Sequence, residues 1–180
     1  MRPTARSGFT LLELLTVLVV IGVLAVLAIG VFDQIQARSE RVNCTSNIRN
    51  LYVGFQSYIL QQGHWPQNPH KLGDEGYDGW WIDEMQKIGI PEKGWHCPTH
   101  VRMSKAAASG ASENQNDPKA KKRREVHYMP TRFDSNQATP RRWPTQPWLV
   151  EVGNFHGDGA LVVFPDGTVS SFGQILRQGR

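Results

Sequence analysis

The stretch that decides the reading is Phe9–Phe32, FTLLELLTVLVVIGVLAVLAIGVF. Of its 24 residues only Glu13 is ionisable. As helix, such a run is about 36 Å long, more than the ~30 Å of a bilayer's hydrocarbon core. A carboxylate there is costly, about 2.5–3.5 kcal/mol at the bilayer centre and less near the interface, and it usually has a partner. A cleaved secretory signal would explain the basic start and would use Val26-Leu27-Ala28 as a small-residue cleavage site. Its apolar core would then exceed the usual 7–15 residues and contain an acid. A plain anchor, with Arg2 and Arg6 holding the N-terminus in the cytoplasm, explains the length but not Glu13.

A third reading accounts for the acid. Ser7-Gly8-Phe9-Thr10-Leu11-Leu12-Glu13 resembles the type IV prepilin cleavage motif of type IV pilins and type II secretion pseudopilins. The resemblance implies that a prepilin peptidase cuts between Gly8 and Phe9 on the cytoplasmic face and that Phe9 is N-methylated. The apolar segment is then retained. Glu13 becomes the fifth residue of the mature chain, and its carboxylate pairs with the N-terminal amine of a neighbouring subunit, which offsets part of the burial cost. Where many relatives carry a proline, this chain has Gly30, which weakens a helix by about 1 kcal/mol against alanine.

Working outward, 180 residues with a net charge of +4 amount to one modest core beyond the apolar run. Two of the positive charges precede that run, so the remainder does not call for nucleic acid. The tract Lys119, Lys121, Lys122, Arg123 and Arg124 reads as a solvated loop rather than an anionic-surface site. The only cysteines are Cys44 and Cys97, enough for one disulfide in an extracytoplasmic chain or two separate thiols. Their spacing is unlike a zinc site.

No proline occurs from Thr4 to Trp65, and Ile48, Leu51, Tyr52, Phe55 and Ile59 recur at helical spacing. One helix is therefore expected from about Thr10 to Gln62, transmembrane over 9–32 and amphipathic over 33–62, with Gly63 as its stop. A globular head fills 63–180. Asn43-Cys44-Thr45-Ser46-Asn47-Ile48-Arg49, Tyr58 and Gly63-His64-Trp65-Pro66 resemble prepilin-like proteins of planctomycetes and verrucomicrobia. Trp95-His96-Cys97-Pro98 does so again, and the resemblance implies that Cys44 and Cys97 are the pair joining helix to head.

In the head, Trp80–Ile88 reads as a short helix and 104–125 as a flexible loop of low complexity. Val126–Met129 and Trp148–Val152 are strand candidates. Gly159–Phe164, an Asp166-Gly167 turn and Thr168–Phe172 form a hairpin over 159–172. Arg141–Pro147 reads as extended loop. His156, nine residues and Asp166-Gly167 match the H-X9-DG signature of the same prepilin-like group. Its structural account is a hydrogen bond from His156 to the hairpin. A cation site of His156, Asp158 and Asp166 fits calcium poorly, since histidine is a weak ligand for it. No metal or cofactor is expected.

No motif places a nucleophile on an elbow and no phosphate-cradling loop occurs, so catalytic residues are not expected. Trp143 and Trp148 read as core or interface rather than a sugar platform. The expected fold is α+β and type IV pilin-like, a long N-terminal helix packed on a small antiparallel sheet. The expected function is a non-enzymatic pilus or pseudopilus subunit. It would sit as a single-pass protein in the inner membrane, N-terminus in the cytoplasm and head in the periplasm. Its partners would be prepilin peptidase, sibling subunits and the inner-membrane assembly platform. The alternative is an anchored extracytoplasmic binding module that uses this helix without polymerising.

Overall fold

The computed structural model of the chain describes residues 10–110 and 124–179, without the side chains of residues 28–31, 33 and 108–110. Helix α1 runs Leu11–Gln62. It is followed by α2 (Tyr77–Gln86), a 3-10 turn (Glu92–Trp95), α3 (Pro98–Gly110), β1 (Tyr128–Pro130), α4 (Thr139–Arg142), β2 (Leu149–Glu151), β3 (Leu161–Val163), β4 (Val169–Ser171) and α5 (Phe172–Gln178). The architecture is α+β, as expected. The chain divides into two compact units, Met1–Arg38 and Ser39–Arg180. The boundary therefore falls within the amphipathic part of α1, at Ser39 rather than at its expected start, and most of that part belongs to the head.

In the first unit, Leu11, Leu15, Val19, Val20, Ile21, Val23 and Leu24 all stand exposed, and at about 100° per residue they are spread around the whole helix. An apolar surface on all sides is the mark of a helix made for an apolar surrounding. Among the described residues no helix is long and apolar enough to cross a membrane. The unbroken run of described apolar side chains ends at Leu27, short of the ~20 residues a span needs, whereas the sequence stays apolar to Phe32.

In the second unit α1 behaves as its pattern predicts. Cys44, Ile48, Leu51, Phe55, Tyr58 and Ile59 form one buried stripe. Phe55 is the hub of the core. Its ring stacks on Trp65 at 4.7 Å and meets Trp81 at 5.8 Å and Trp95 at 6.3 Å. Trp148 joins through Trp65 at 5.1 Å and Tyr52 at 5.2 Å. These rings bury large apolar areas with favourable tilted contacts. Trp148 is thus core, its indole N–H donating to the Pro140 carbonyl at 2.7 Å, while Trp143 is 55% exposed.

The sheet has order β1-β2-β3-β4, antiparallel throughout, with Tyr128 opposite Glu151, Leu149 opposite Val163 and Leu161 opposite Ser171. Pro130, which cannot donate to a ladder, sits on an edge strand, where that is tolerated. The β3–β4 connection is tight: the Gly167 N–H donates to the Phe164 carbonyl at 2.9 Å and the Phe164 N–H to the Thr168 carbonyl at 3.0 Å. Only Gly167 of the Asp-Gly pair takes a positive φ, 80°. Asp166 instead accepts the Thr168 N–H at 2.8 Å, an Asx turn.

Three local expectations need correction. Ser104–Gly110 is the last part of α3, not loop, because Lys105-Ala106-Ala107-Ala108 carries some of the strongest helix formers. Residues 111–123 of the expected flexible loop lie outside the described residues. Arg141 and Arg142 close the short α4, whose early proline, Pro140, is pre-set for a helix start. After β4 the chain turns directly into α5, opened by a reciprocal capping box: Ser171 Oγ accepts the Gln174 N–H and Gln174 Oε1 accepts the Ser171 N–H, both at 3.2 Å.

Two glycines test this packing with opposite signs. A Cβ on Gly173 would lie 2.7 Å from the Asp158 carbonyl oxygen, which cannot move aside as a side chain would. Gly173→Ala is expected to destabilise the head by about 1–3 kcal/mol. Gly79, inside α2, has no atom within 4 Å of a Cβ, so Gly79→Ala should stabilise by roughly 0.5–1 kcal/mol. Denaturant midpoints read by tryptophan fluorescence check both. Equal shifts would contradict the packing.

Candidate functional site

Two places carry the residues singled out by the sequence. The first is the start of α1. Thr10 Oγ1 accepts the Glu13 N–H at 3.3 Å, and Glu13 Oε2 accepts both the Thr10 N–H and the Thr10 hydroxyl at 2.9 Å. This is a capping box, Thr10-Leu11-Leu12-Glu13, satisfying two backbone donors that a helix start leaves orphaned. Within a single chain Glu13 is therefore engaged by its own first turn. The T-x-x-E spacing is itself the sequence signal for this cap. Gly8 and Phe9 lie outside the described residues.

The second place is inside the head, where elements distant in sequence converge. Cys44 on α1 and Cys97, just before α3, form a disulfide with Cα atoms 5.1 Å apart. Beside it lies His156, whose Nε2 is 3.6 Å from Cys97 Sγ and 3.2 Å from Glu151 Oε1. The side chains of His156 and Glu151 are essentially closed to solvent. Glu151 is the inward residue of β2, on the same face as Leu149, and its Oε2 accepts the Leu161 N–H of β3 at 3.1 Å. His156 thus meets the sheet through Glu151. Burial raises the Glu151 carboxyl above its ordinary value, opposed by the Leu161 N–H and by His156. Tyr128, opposite Glu151 across the β1–β2 ladder, donates its hydroxyl to the Cys44 carbonyl at 3.2 Å. Burial, and then Glu151, raise its pKa.

Further histidines surround Cys97. His127 Nδ1 accepts the Cys97 N–H at 3.0 Å. Its ring lies 3.9 Å from that of His100 and 5.2 Å from that of His96. Burial, then the neighbouring His100 and His96, push the His127 pKa down to about 4, so at neutral pH it is an uncharged acceptor. This orientation fixes which nitrogen carries its proton.

Asp158 has a different task. It accepts from the Ser171 hydroxyl at 2.6 Å and from Arg177 at 2.9 and 3.0 Å, with Arg41 of α1 at 3.6 Å. Its carbonyl accepts the Gly173 N–H at 2.9 Å. The Arg177 hydrogen bonds first, and then Ser171, hold its carboxyl down at about 2. Its charge is matched by guanidinium groups, so Asp158 ties α5 to α1 rather than joining His156 around a cation. Of the three carboxylates and histidine near the C-terminus, the structure pairs His156 with Glu151, a residue the sequence reading passed over. The available signal was a carboxylate on the inward face of an otherwise apolar strand.

Residues 3–29 match the prokaryotic N-terminal methylation motif. The match covers most of the expected leader and most of the apolar run, and it supports a type IV pilin-like protein, which implies processing by prepilin peptidase. No curated protein and no solved structure matches the chain.

Proposed function

We propose that this chain is a structural subunit of a type IV pilus or type II secretion pseudopilus, cut between Gly8 and Phe9 and assembled through its N-terminal helix. The observation that carries this reading is the all-round apolar surface of Leu11–Leu27, which lies within the methylation motif and bears one carboxylate, Glu13. Such a helix needs an apolar surrounding on every side, which first a bilayer and then a bundle of sibling helices supply. Arg2 and Arg6 favour a cytoplasmic N-terminus, placing the disulfide-bonded head on the outer side of the inner membrane. The assembly platform and prepilin peptidase are the expected partners. No catalytic role is assigned.

Intact-mass analysis of membrane material tests the maturation. The expected species lacks residues 1–8 and carries one methyl on Phe9. A mature chain starting at Ile29 would mark a discarded signal and overturn the reading.

A second reading, an anchored binding module that never polymerises, is favoured by the exposed Trp143, over whose ring Arg142 sits at 5.4 Å. Crosslinking between α1 helices in native membranes separates the two. Sibling crosslinks support assembly, and a solitary chain supports the module.

A further inference from the structure

We propose that Cys44, Cys97, His156 and Glu151 form a zinc site in the reduced chain, so that this buried cluster has two exclusive states, a disulfide and a metal centre.

The donor atoms of the four residues all lie within 4.8 Å of one another. Two ligands held about 2.0–2.3 Å from one tetrahedral ion fall at or under about this separation. The geometry is convergent rather than serial. In a catalytic relay the two ring nitrogens of a histidine face different partners. Here one nitrogen, Nε2, faces both Glu151 Oε1 and Cys97 Sγ. Two sulfurs, one imidazole nitrogen and one carboxylate oxygen suit zinc in a closed structural site. The second Glu151 oxygen is held by the Leu161 N–H, the outer-shell anchoring that ligating carboxylates require. Cys44 and Cys97 are fully buried and Glu151 nearly so. His156 is supplied by the loop between β2 and β3, whose Gly153, Gly157 and Gly159 all take positive φ.

The change of state balances as follows. An external dithiol delivers two electrons and two protons to the Cys44–Cys97 bond and leaves as its own disulfide. Zinc then displaces the two thiol protons and binds both thiolates. An external disulfide reverses the change: it accepts the two electrons of the zinc-bound thiolates and leaves as two thiols, the Cys44–Cys97 bond re-forms, and the ion departs. The sequence hid this site because its ligands come from α1, the turn before α3, β2 and a loop.

The full chain in detergent, reduced with excess dithiothreitol and desalted without air, should bind one zinc ion per chain by mass spectrometry of metals. The oxidised chain should bind none. Cobalt(II) added to the reduced chain should give thiolate-to-metal charge-transfer absorption. His156→Ala and Glu151→Gln should each weaken zinc binding by roughly 10–100-fold in competition with a chromophoric chelator. Circular dichroism on the same samples establishes that each variant is folded. If Glu151→Gln proves unfolded, the His156→Ala measurement decides. A reduced, folded chain that takes up no zinc overturns the proposal. So does zinc binding indifferent to His156→Ala, which would be adventitious capture by two thiols.

Discussion

Replacing Glu13 with alanine is expected to leave the chain made, cut and methylated, and to abolish its entry into filaments. The size of this effect rests on the difference between a cap and a charge. As the N3 residue of a capping box, Glu13 contributes about 0.5–2 kcal/mol to the first turn of α1. In the proposed role, as the partner of a neighbouring subunit's amine in an apolar bundle, it would do more, because removing it would strand a buried cation at a cost of about 3–5 kcal/mol per contact. That cost recurs at every subunit, so assembly fails rather than weakens. Glu13→Gln separates the two roles. A glutamine side chain still accepts the Thr10 N–H, so the cap survives while the charge is gone. Filament yield by electron microscopy should therefore be lost in both variants, with helix content by circular dichroism kept in Glu13→Gln. Normal filaments from Glu13→Gln would leave Glu13 only the capping role that the single chain shows.

Removing the disulfide is the largest expected change to the head itself. Cys44 and Cys97 are 53 residues apart, and closing a loop of that length restricts the unfolded chain by about 4 kcal/mol. The double variant Cys44→Ala, Cys97→Ala should lower the melting temperature of the full chain in detergent by roughly 10–15 °C. The folded state need not change shape. Ile48 and Phe55 keep the helix stripe buried without help from sulfur. A near-UV circular dichroism spectrum unchanged below the transition, with the transition itself moved down, is the expected result. An unmoved transition would mean that the bond constrains little in the unfolded chain.

The sequence made α1 legible because nothing interrupts it. No proline stands between Thr4 and Trp65, and Ile48, Leu51, Phe55 and Ile59 repeat along one face. The β3–β4 hairpin was legible for a similar local reason, since Asp166-Gly167 marks the turn between two short apolar runs. α5 was missed because it begins where the returning strand ends. Its Ser171-x-x-Gln174 capping box was the signal present. The end of α3 was not legible because alanines among serines and lysines show no apolar periodicity and resemble a low-complexity stretch. The buried cluster could be read only in part. His156 stood out by its spacing, whereas Glu151 became meaningful only once β2 placed it inward and β3 brought the Leu161 N–H to its other oxygen.

The disulfide also sets how the molecule answers tension. Phe55, Trp65, Trp81 and Trp95, the hub of the aromatic core, all lie between Cys44 and Cys97. A chain drawn out from its two ends therefore carries the force across the sulfur bridge and leaves that segment slack. The withheld length is roughly 180 Å, 53 residues at about 3.4 Å each. Force applied to the helix thus reaches the C-terminal sheet by a covalent short cut, and the segment that carries most of the aromatic hub cannot be drawn out while the bridge holds.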